Sequence, residues 1–156
     1  MKKYIIIVVI LVLAIILVIL QLNKSRERNM SVLESPSTID QSRINVIENV
    51  ELTSTSKDAE IIGFKIINSA QITIYYGEET IFEKEHNDSW YRIWPTKELF
   101  FLSILNVLLP DQEARFILDL SYWQPILIGR YRVLKRISIQ EEFKDFYYLS
   151  CEFSIN

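Results

Sequence analysis

The pattern of hydrophobic and polar residues divides the chain into one unbroken apolar run and a longer region of short alternating segments. From Tyr4 to Leu22 every residue is apolar apart from the Tyr4 hydroxyl and Gln21. A helix of about 19 such residues, rising about 1.5 Å per residue, spans roughly the hydrocarbon thickness of a bilayer. Because a buried globular helix would carry a polar stripe, the run predicts one transmembrane helix over residues 1–23.

The apolar run is expected to act as an uncleaved signal anchor. Its basic start, Met-Lys-Lys, is typical of a signal sequence, but the run is longer than the roughly 7–15 apolar residues of a cleaved signal peptide. No small-x-small cleavage site follows, and the only cysteine, Cys151, is too distant to carry a lipoprotein acyl chain. Basic residues are nearly balanced on the two sides of the span, so their distribution does not determine the orientation. The β-rich remainder is typical of an exported domain and favours an extracytoplasmic C-terminal domain at the cell membrane. A cytoplasmic placement is the alternative.

After the apolar run, composition and periodicity change. Residues 24–42 are rich in Ser, Asn, Arg and Glu with little periodicity, which predicts a flexible juxtamembrane linker. From residue 43 onward, short alternating runs separated by turn residues predict about eight β-strands. The run Leu99–Leu109 fits either a short helix or a strand buried on both sides. The turn residues that begin at Pro110 favour the extended interpretation.

The segment from Leu127 to Ile139 indicates how the strands are assembled. It contains a turn at Gly129, a tyrosine two residues later and then an alternating strand. In antiparallel sandwiches a tyrosine in this position turns inward at a corner, and its hydroxyl bonds to nearby backbone. We therefore predict that Gly129 forms the turn and that Tyr131 is a structural residue. The residues of this strand predicted to face the core are Val133, Ile137 and Ile139.

Together these runs predict an all-β domain over residues 43–156, built as a two-sheet antiparallel sandwich in which each sheet buries one face against the other. Trp90 is expected to anchor the core, as a sandwich tryptophan often does. Cys151 lies on the apolar face of the last strand and is expected to pack there as a small hydrophobe. A single cysteine allows no intrachain disulfide, so burial alone must stabilise the core.

The charge of the domain excludes one class of function. The chain has 17 Lys and Arg and 20 Asp and Glu; without the five basic residues and one acidic residue of positions 1–29, it has 12 and 19, a net charge of −7. Nucleic-acid binding depends on the neutralisation of phosphates by basic side chains. We therefore expect no nucleic-acid partner.

Short motifs follow one another in a recognisable order between Glu60 and Ile139. They are Asn68, Tyr76-Gly77, Phe82-Glu83-Lys84, Trp90-Tyr91, Leu109-Pro110, Asp119-Leu120 and Gly129-Arg-Tyr-Arg-Val. This order resembles a bacterial immunoglobulin-like domain family, although the family more often has proline at the position of Ile128. Members are typically secreted, lipid-anchored or membrane-tethered. The resemblance implies an immunoglobulin-like sandwich in an exported location. It does not imply a catalytic activity, because a fold alone does not determine function.

The acidic hairpin around His86, the only histidine, is a candidate for chemistry. A metal or acid–base site needs convergent partners, and alternate positions on a strand supply only one or two on a face. A solvated hairpin tip is the favoured interpretation. The nearby carboxylates lack the spacing of a calcium loop, and a charged edge that discourages aggregation explains them. They belong to Glu78, Glu79, Glu83 and Glu85.

Tyr122 and Trp123 precede Pro125 in a loop before the tyrosine corner, and they are candidate binding residues because exposed aromatic side chains mark recognition surfaces. Packing over the open end of the sandwich is the alternative and favoured interpretation. Three arginines point outward on the strand of Tyr131, where cross-strand ion pairs are expected and a basic stripe for an anionic ligand is the alternative. The arginines are Arg130, Arg132 and Arg136, and the expected neighbours are Glu113, Arg115 and Asp119.

One lysine of this strand conflicts with the pattern, because Lys135 falls on the inward phase. A β-bulge, or a lysine stem that extends toward the end of the sheet, would accommodate it.

Three functional hypotheses follow. The first is a membrane-tethered extracytoplasmic module that has no catalytic activity, needs no cofactor and binds an unknown envelope protein or ligand, or acts as a spacer. The second is a small cell-envelope enzyme or enzyme inhibitor that uses the acidic hairpin around His86. The third is an assembly role in which the transmembrane helix recruits a partner, although no small-xxx-small motif supports it.

Overall fold

The computed structural model describes residues 12–21, 35–58, 60–142 and 144–156. The chain forms two compact units, Met1–Glu34 and Ser35–Asn156. In the first unit, residues 12–21 are helical. None of the helices in the described ranges is both long enough and apolar enough to cross a membrane. The other residues of the predicted transmembrane helix, and residues 24–34 of the predicted linker, lie outside the described residues.

The second unit is built from β-strands and two short 3-10 helices, Gln41–Arg43 and Leu120–Trp123. Its strands are β1 (Ser35–Pro36), β2 (Val50–Lys57), β3 (Ile61–Asn68), β4 (Ile74–His86), β5 (Ser89–Arg92), β6 (Leu105–Leu108), β7 (Gln112–Asp119), β8 (Gly129–Ser138) and β9 (Tyr147–Ile155). The larger sheet has the order β1-β5-β4-β8-β9, with β6 also paired to β4, and the smaller sheet has the order β2-β3-β7. These named strands all pair antiparallel, which confirms the predicted all-β two-sheet sandwich.

The core lies between the two sheets and is centred on aromatic rings. Phe64 on β3 stacks on Phe116 of β7 at 5.4 Å between ring centroids, and it contacts Phe153 of β9 in the larger sheet at 5.8 Å. Phe82 on β4 stacks on Tyr131 of β8 at 5.2 Å. Aromatic rings bury large apolar areas and favour stacked or tilted pairs. The contact between Phe64 and Phe153 therefore joins the two layers, and the two stacked pairs lie within one sheet each.

The tyrosine of the corner before β8 has the predicted geometry. The Tyr131 ring is buried, and its hydroxyl donates a hydrogen bond to the carbonyl oxygen of Leu127. Burial raises the pKa of this hydroxyl to about 12. Gly129 does not form the predicted turn, because it is the first residue of β8 and pairs with Ile155. A Cβ placed on Gly129 would lie 3.0 Å from Cε of Lys84, so the backbone lies close to the lysine stem and leaves little room for a larger residue.

Two of the three core positions predicted on β8 are correct. Val133 and Ile137 are fully buried. Ile139 is 41% exposed, so its predicted core position is wrong. The reason is that β8 ends at Ser138 and the chain then turns away from the sheet. The Ser138 hydroxyl accepts from the Gln140 N–H and can donate to the carbonyl oxygen of Asp145 at 2.7 Å.

Strand β4 runs without interruption through Tyr76 and Gly77, although a tyrosine–glycine pair is typical of a strand end. Its register against β8 passes from the pair Tyr76–Ile137 to the pair Thr80–Lys135, so residues 77–79 oppose Arg136 alone. This irregularity is a bulge, which bends the strand and frees carbonyl groups from the ladder. β4 can therefore pair with β6 along one part of its length and with β5 along another.

The bulge explains the inward lysine. The Lys135 ammonium donates to the carbonyl oxygens of Gly77, Glu78 and Glu79 at 3.3, 2.5 and 3.2 Å. It also lies 4.6 Å from the ring centroid of Phe116 in the opposite sheet. A buried cation thus takes the place of the ladder hydrogen bonds that the bulge disrupts.

Two boundaries differ from those that the sequence predicts. The compact unit begins at Ser35, so residues 35–42, assigned above to the flexible linker, belong to it and form β1 and part of a 3-10 helix. In the run Leu99–Leu109, only β6 is a strand, and residues 99–104 are irregular. The extended interpretation is therefore correct for β6 but not for the first half of the run.

Candidate functional site

Trp123 is buried, as the favoured packing interpretation predicted, and it is not an exposed binding residue. Its side chain is 5% exposed, its indole Nε1 donates to the carbonyl oxygen of Ile93 at 3.1 Å, and its ring meets Phe82 edge-on at 5.6 Å. The 3-10 helix that positions it is capped by Asp119, whose carboxylate accepts from the Ser121 backbone N–H. Hydrogen bonds from the hydroxyl and the backbone N–H of Ser121 lower the pKa of Asp119. The cap turns the helix so that the indole points inward.

Tyr122, the other candidate binding residue, is half-buried. Its carbonyl oxygen accepts from the backbone and the hydroxyl of Thr96, and its ring lies 5.6 Å from the Lys97 ammonium. It also lines a groove of about 290 Å³ together with Phe101 and Trp123. A binding role for Tyr122 stays a prediction.

The sequence predicted that Trp90 anchors the core, and this prediction is wrong. Trp90 lies on the outer face of the larger sheet. It pairs with Glu85 across the β4–β5 hairpin, on the face opposite to Phe82. Its ring stacks under the Arg132 guanidinium at 4.4 Å and contacts that of Arg130 at 5.8 Å. Strand β5 has only four residues, and their sequence does not alternate in a way that indicates which face points inward. Tertiary packing therefore determines on which face of the sheet Trp90 lies.

The outward arginines of β8 form cross-strand ion pairs, but not with the predicted neighbours, which lie on β7 in the other sheet. Arg130 bonds to Glu85 at 3.0 Å and to Glu152 at 2.5 Å. The bond to Glu152 is the main cause that raises the pKa of Arg130. Arg136 lies 5.3 Å from the ring of Phe146. Carboxylates or aromatic rings contact these guanidinium groups, so the arginines do not form an open basic stripe for an anionic ligand.

The pair formed by Arg132 and Glu83 is buried. The two side chains are 3% and 1% exposed, and Nε of Arg132 donates to Oε2 of Glu83 at 2.6 Å. Nη2 lies equally close to that oxygen but without hydrogen-bonding geometry, and both Nη2 and Oε1 of Glu83 lack a hydrogen-bond partner among the described residues. A third guanidinium nitrogen, Nη1, donates to the Gln41 side chain at 3.0 Å.

Residues 35–46 cross the outer face above this ion pair. The Ser37 N–H donates to the Trp90 carbonyl, and Asn45 exchanges hydrogen bonds with Ser150. Arg43 bonds to the Asp145 carboxylate at 2.8 Å, which lowers the pKa of Asp145 and raises that of Arg43. The covering segment therefore excludes water from the ion pair.

The acidic hairpin does not bring its carboxylates together. His86 lies before a tight turn in which Asn87 and Asp88 have φ angles of 50° and 58°. Its nearest polar contact is the Asn87 amide at 3.2 Å. Each carboxylate has its own partner: Glu78 accepts from the Leu102 N–H, Glu79 from Arg92, Glu83 from Arg132 and Glu85 from Arg130. Within the described ranges, no three His, Cys, Asp or Glu side chains are placed to hold a metal ion.

The largest exposed apolar feature of the second unit is one that the sequence reasoning missed. Seven side chains between residues 100 and 109 are 40–85% exposed and form what we call the apolar surface: Phe100, Phe101, Leu102, Ile104, Leu105, Val107 and Leu109. Phe100 is the most exposed, at 85%. The run had been assigned to a buried strand because it is apolar. The sequence does show that no residue from Leu99 to Pro110 is charged. The topology, which the sequence does not show, pairs β6 with β4 alone among the described strands.

Grooves flank the apolar surface. One, of about 370 Å³, lies between the β4 bulge and the chain segment from Phe101 to Leu105. The other, of about 250 Å³, is lined by Trp94, Pro95, Phe101 and Trp123. Apolar grooves beside an exposed apolar strand can receive the side chains of a partner protein. The described residues thus present an exposed apolar surface with a groove on each side.

Comparisons with known proteins agree with this fold. Residues 42–152 match the model of a bacterial Ig-like domain. The archaellum periplasmic stator protein FlaG from Sulfolobus acidocaldarius is similar at 18% identity and a TM-score of 0.40, over 67% of this chain and 99% of that chain. The complex of FlaF and FlaG from the same organism gives 18% identity, a TM-score of 0.41, and coverage of 77% and 100%.

Among curated proteins, none matches the chain. The family match covers most of the chain and includes the Gly129–Tyr131 corner, both tryptophans discussed above and the paired arginines of β8. It confirms the resemblance drawn from the ordered motifs. The chain belongs to the bacterial Ig-like domain family.

Proposed function

We propose that this protein is a non-catalytic, membrane-tethered module whose immunoglobulin-like domain lies outside the cytoplasm and binds a protein partner through the apolar surface. The observation that carries the proposal is the exposure of seven apolar side chains on one short segment, residues 100–109. Exposing such a surface to water does not stabilise the fold, because each exposed apolar group forgoes the free energy of burial.

The size of the apolar surface supports a binding role. The exposed fractions, scaled by roughly 150–250 Å² per large side chain, give roughly 700 Å² of apolar area. The largest apolar patch on a typical monomer covers roughly 300–600 Å² and is often functional. A partner that covered this surface would bury its central rings, Phe100 and Phe101, in the manner of binding hot spots.

The N-terminal run supports the tether. Its described residues from Val12 to Leu20 include eight large apolar side chains that are 46–61% exposed. A helix that is apolar on every side requires an apolar environment, and a bilayer supplies one. The Lys residues at positions 2 and 3 and the basic residues after the run would lie at the two membrane interfaces.

The membrane part of the proposal is tested with a single exposed cysteine. Ile128 is 77% exposed, so Ile128→Cys in a Cys151→Ser background provides an accessible thiol. We expect the chain to stay in the membrane fraction after an alkaline wash and to react with a membrane-impermeant maleimide in intact cells. Labelling only after lysis would place the domain in the cytoplasm, and release by the wash would contradict the tether.

The binding part is tested by photo-crosslinking from Phe100. A photoreactive phenylalanine analogue at this position should give protein adducts in intact cells, whereas the same analogue at Ile128 should not, although both sites are well exposed. Leu102→Asp should remove the adducts by placing a charge in the contact. Equal adducts at both sites, or none at Phe100, would contradict a specific binding surface.

A further inference from the structure

The edges of the two sheets are protected in different ways, and β6 differs from the others. An unpaired strand edge can pair with another chain, so proteins place charges, proline or covering segments there. The outer strands carry such residues: Pro36 in β1, Glu51 and Lys57 in β2, Glu113 and Arg115 in β7, and Glu152 in β9. Strand β6 reads Leu-Asn-Val-Leu and pairs only with β4 among the described strands.

The unprotected edge of β6 lies within the apolar surface. Leu105 and Val107 are 40% and 51% exposed, whereas Leu108, on the opposite phase, is buried against the core. The Leu108 carbonyl oxygen accepts a hydrogen bond from the Asn68 side chain, and no described strand other than β4 pairs with β6. The edge therefore combines a backbone without a second strand partner among the described residues and exposed apolar side chains. Such a combination suits the addition of a further strand to the sheet.

We propose that β6 pairs antiparallel with β6 of a second copy of this chain, so that the larger sheets of two domains join across a two-fold axis and their apolar surfaces pack together. The proposal names the partner of the surface described above, and it therefore rests on the proposed function.

Charge favours a second copy. In a two-fold contact each residue near the axis meets the same patch of the other copy, so any charge there would face a like charge. The run from Leu99 to Pro110 has none. Because the chain after residue 29 carries a net charge of −7, two copies repel each other elsewhere, and the neutral apolar surface is where they can approach.

The available area also fits a dimer. Each copy would contribute roughly 700 Å² of apolar area, close to the roughly 800 Å² per partner of a standard-size interface. Two chains held in one membrane would also meet at a raised effective concentration. The contact thus needs no part of the molecule beyond the apolar surface.

Thiol cross-linking of the full chain in its membrane tests the pairing. Residues that face each other across an antiparallel pair lie about 5 Å apart, so Val107→Cys in the Cys151→Ser background places two thiols within reach of a short bismaleimide. We expect a product at twice the 18.5 kDa chain mass. The matched control is Ile117→Cys on β7, which is 65% exposed and should stay at the single-chain mass.

A second variant distinguishes pairing from chance collision. Adding Asn106→Lys to the Val107→Cys chain places like charges beside the axis, and we expect the product to fall to the level of the Ile117→Cys control. Unchanged tryptophan fluorescence in all variants verifies the fold. A dimer at Val107 that Asn106→Lys removes supports the proposal.

Other outcomes overturn it. A product of a different mass at Val107 would show that another protein occupies β6, and equal products at Val107 and Ile117, or none at Val107, would exclude β6 pairing. Photo-adducts from Phe100 without cross-links at Val107 would leave the proposed function intact and reject the second copy. The absence of both would reject the binding surface itself.

Discussion

The two faces of β8 bury charge by different means. On the inner face, Lys135 is surrounded by neutral acceptors, the three carbonyl oxygens of the β4 bulge. On the outer face, Arg132 meets the Glu83 carboxylate, and atoms of both groups have no hydrogen-bond partner among the described residues. The lysine can therefore lose its proton without leaving an unpaired charge in the protein. Removal of either member of the ion pair, in contrast, leaves the other as a buried charge without a counter-charge.

The largest expected effect comes from breaking the outer pair. Glu83→Gln leaves the buried Arg132 guanidinium without a counter-charge, and loss of one partner of a buried pair costs about 3–5 kcal/mol. Urea unfolding of the full chain in detergent, followed by tryptophan fluorescence, measures the free energy of unfolding. The double variant Glu83→Leu/Arg132→Leu should recover most of this loss, since an apolar pair can replace a buried ion pair at little cost. A double variant as unstable as Glu83→Gln would contradict this account.

A pH titration tests the inner face. Burial lowers the pKa of Lys135 to about 8, and the nearby Glu78 and Glu79 oppose part of this shift. Between about pH 8 and the ordinary lysine pKa of 10.5, the unfolded lysine holds its proton and the folded one does not, so the free energy of unfolding rises with pH in this window. The rise is on the order of 1–3 kcal/mol.

The matched variant for the titration is Lys135→Met, which lacks the titrating group. Lys84 contributes a rise of the same sign because burial also lowers its pKa, and Tyr131 an opposite change at higher pH because its pKa is raised. The prediction therefore concerns the difference between wild type and Lys135→Met. If the two proteins gave parallel curves from pH 7 to 10, the lysine would not titrate in this window.

A smaller effect is expected from the corner on the inner face. Tyr131→Phe removes the hydroxyl that donates to the Leu127 carbonyl but keeps the ring stacked on Phe82. The loss of a single hydrogen bond costs about 1 kcal/mol. A parallel measurement on Tyr131→Ala, which also removes the ring, should give a much larger loss. Equal losses for the two variants would show that the hydroxyl, and not the ring, determines the stability of the corner.

The sequence predicted local features and failed where strand phase depends on distant residues. Tyr131 was correctly predicted because its corner depends on a glycine two residues away. Trp90 was predicted to anchor the core but lies on the outer face, because it is not in an alternating run long enough to define an inward face. For Trp123 the favoured interpretation, packing, agrees with its burial, whereas the alternative of an exposed binding residue does not. The exposure of Phe100 was missed for a related reason: apolar composition indicates burial, whereas Phe100 lies in the irregular segment before β6 and is 85% exposed.

The smallest expected effect contrasts with the buried pair on the same face of β8. Arg130 makes two ion pairs, with Glu85 and Glu152, but its side chain is 53% exposed. Water screens such pairs, and the long side chain loses conformational freedom when it forms them. We expect Arg130→Ala to leave the urea midpoint nearly unchanged and to make it less dependent on salt concentration, because a screened attraction is removed. A loss as large as that of Glu83→Gln would mean that burial does not separate the two arginines, and the distinction between exposed and buried ion pairs on this face would fail.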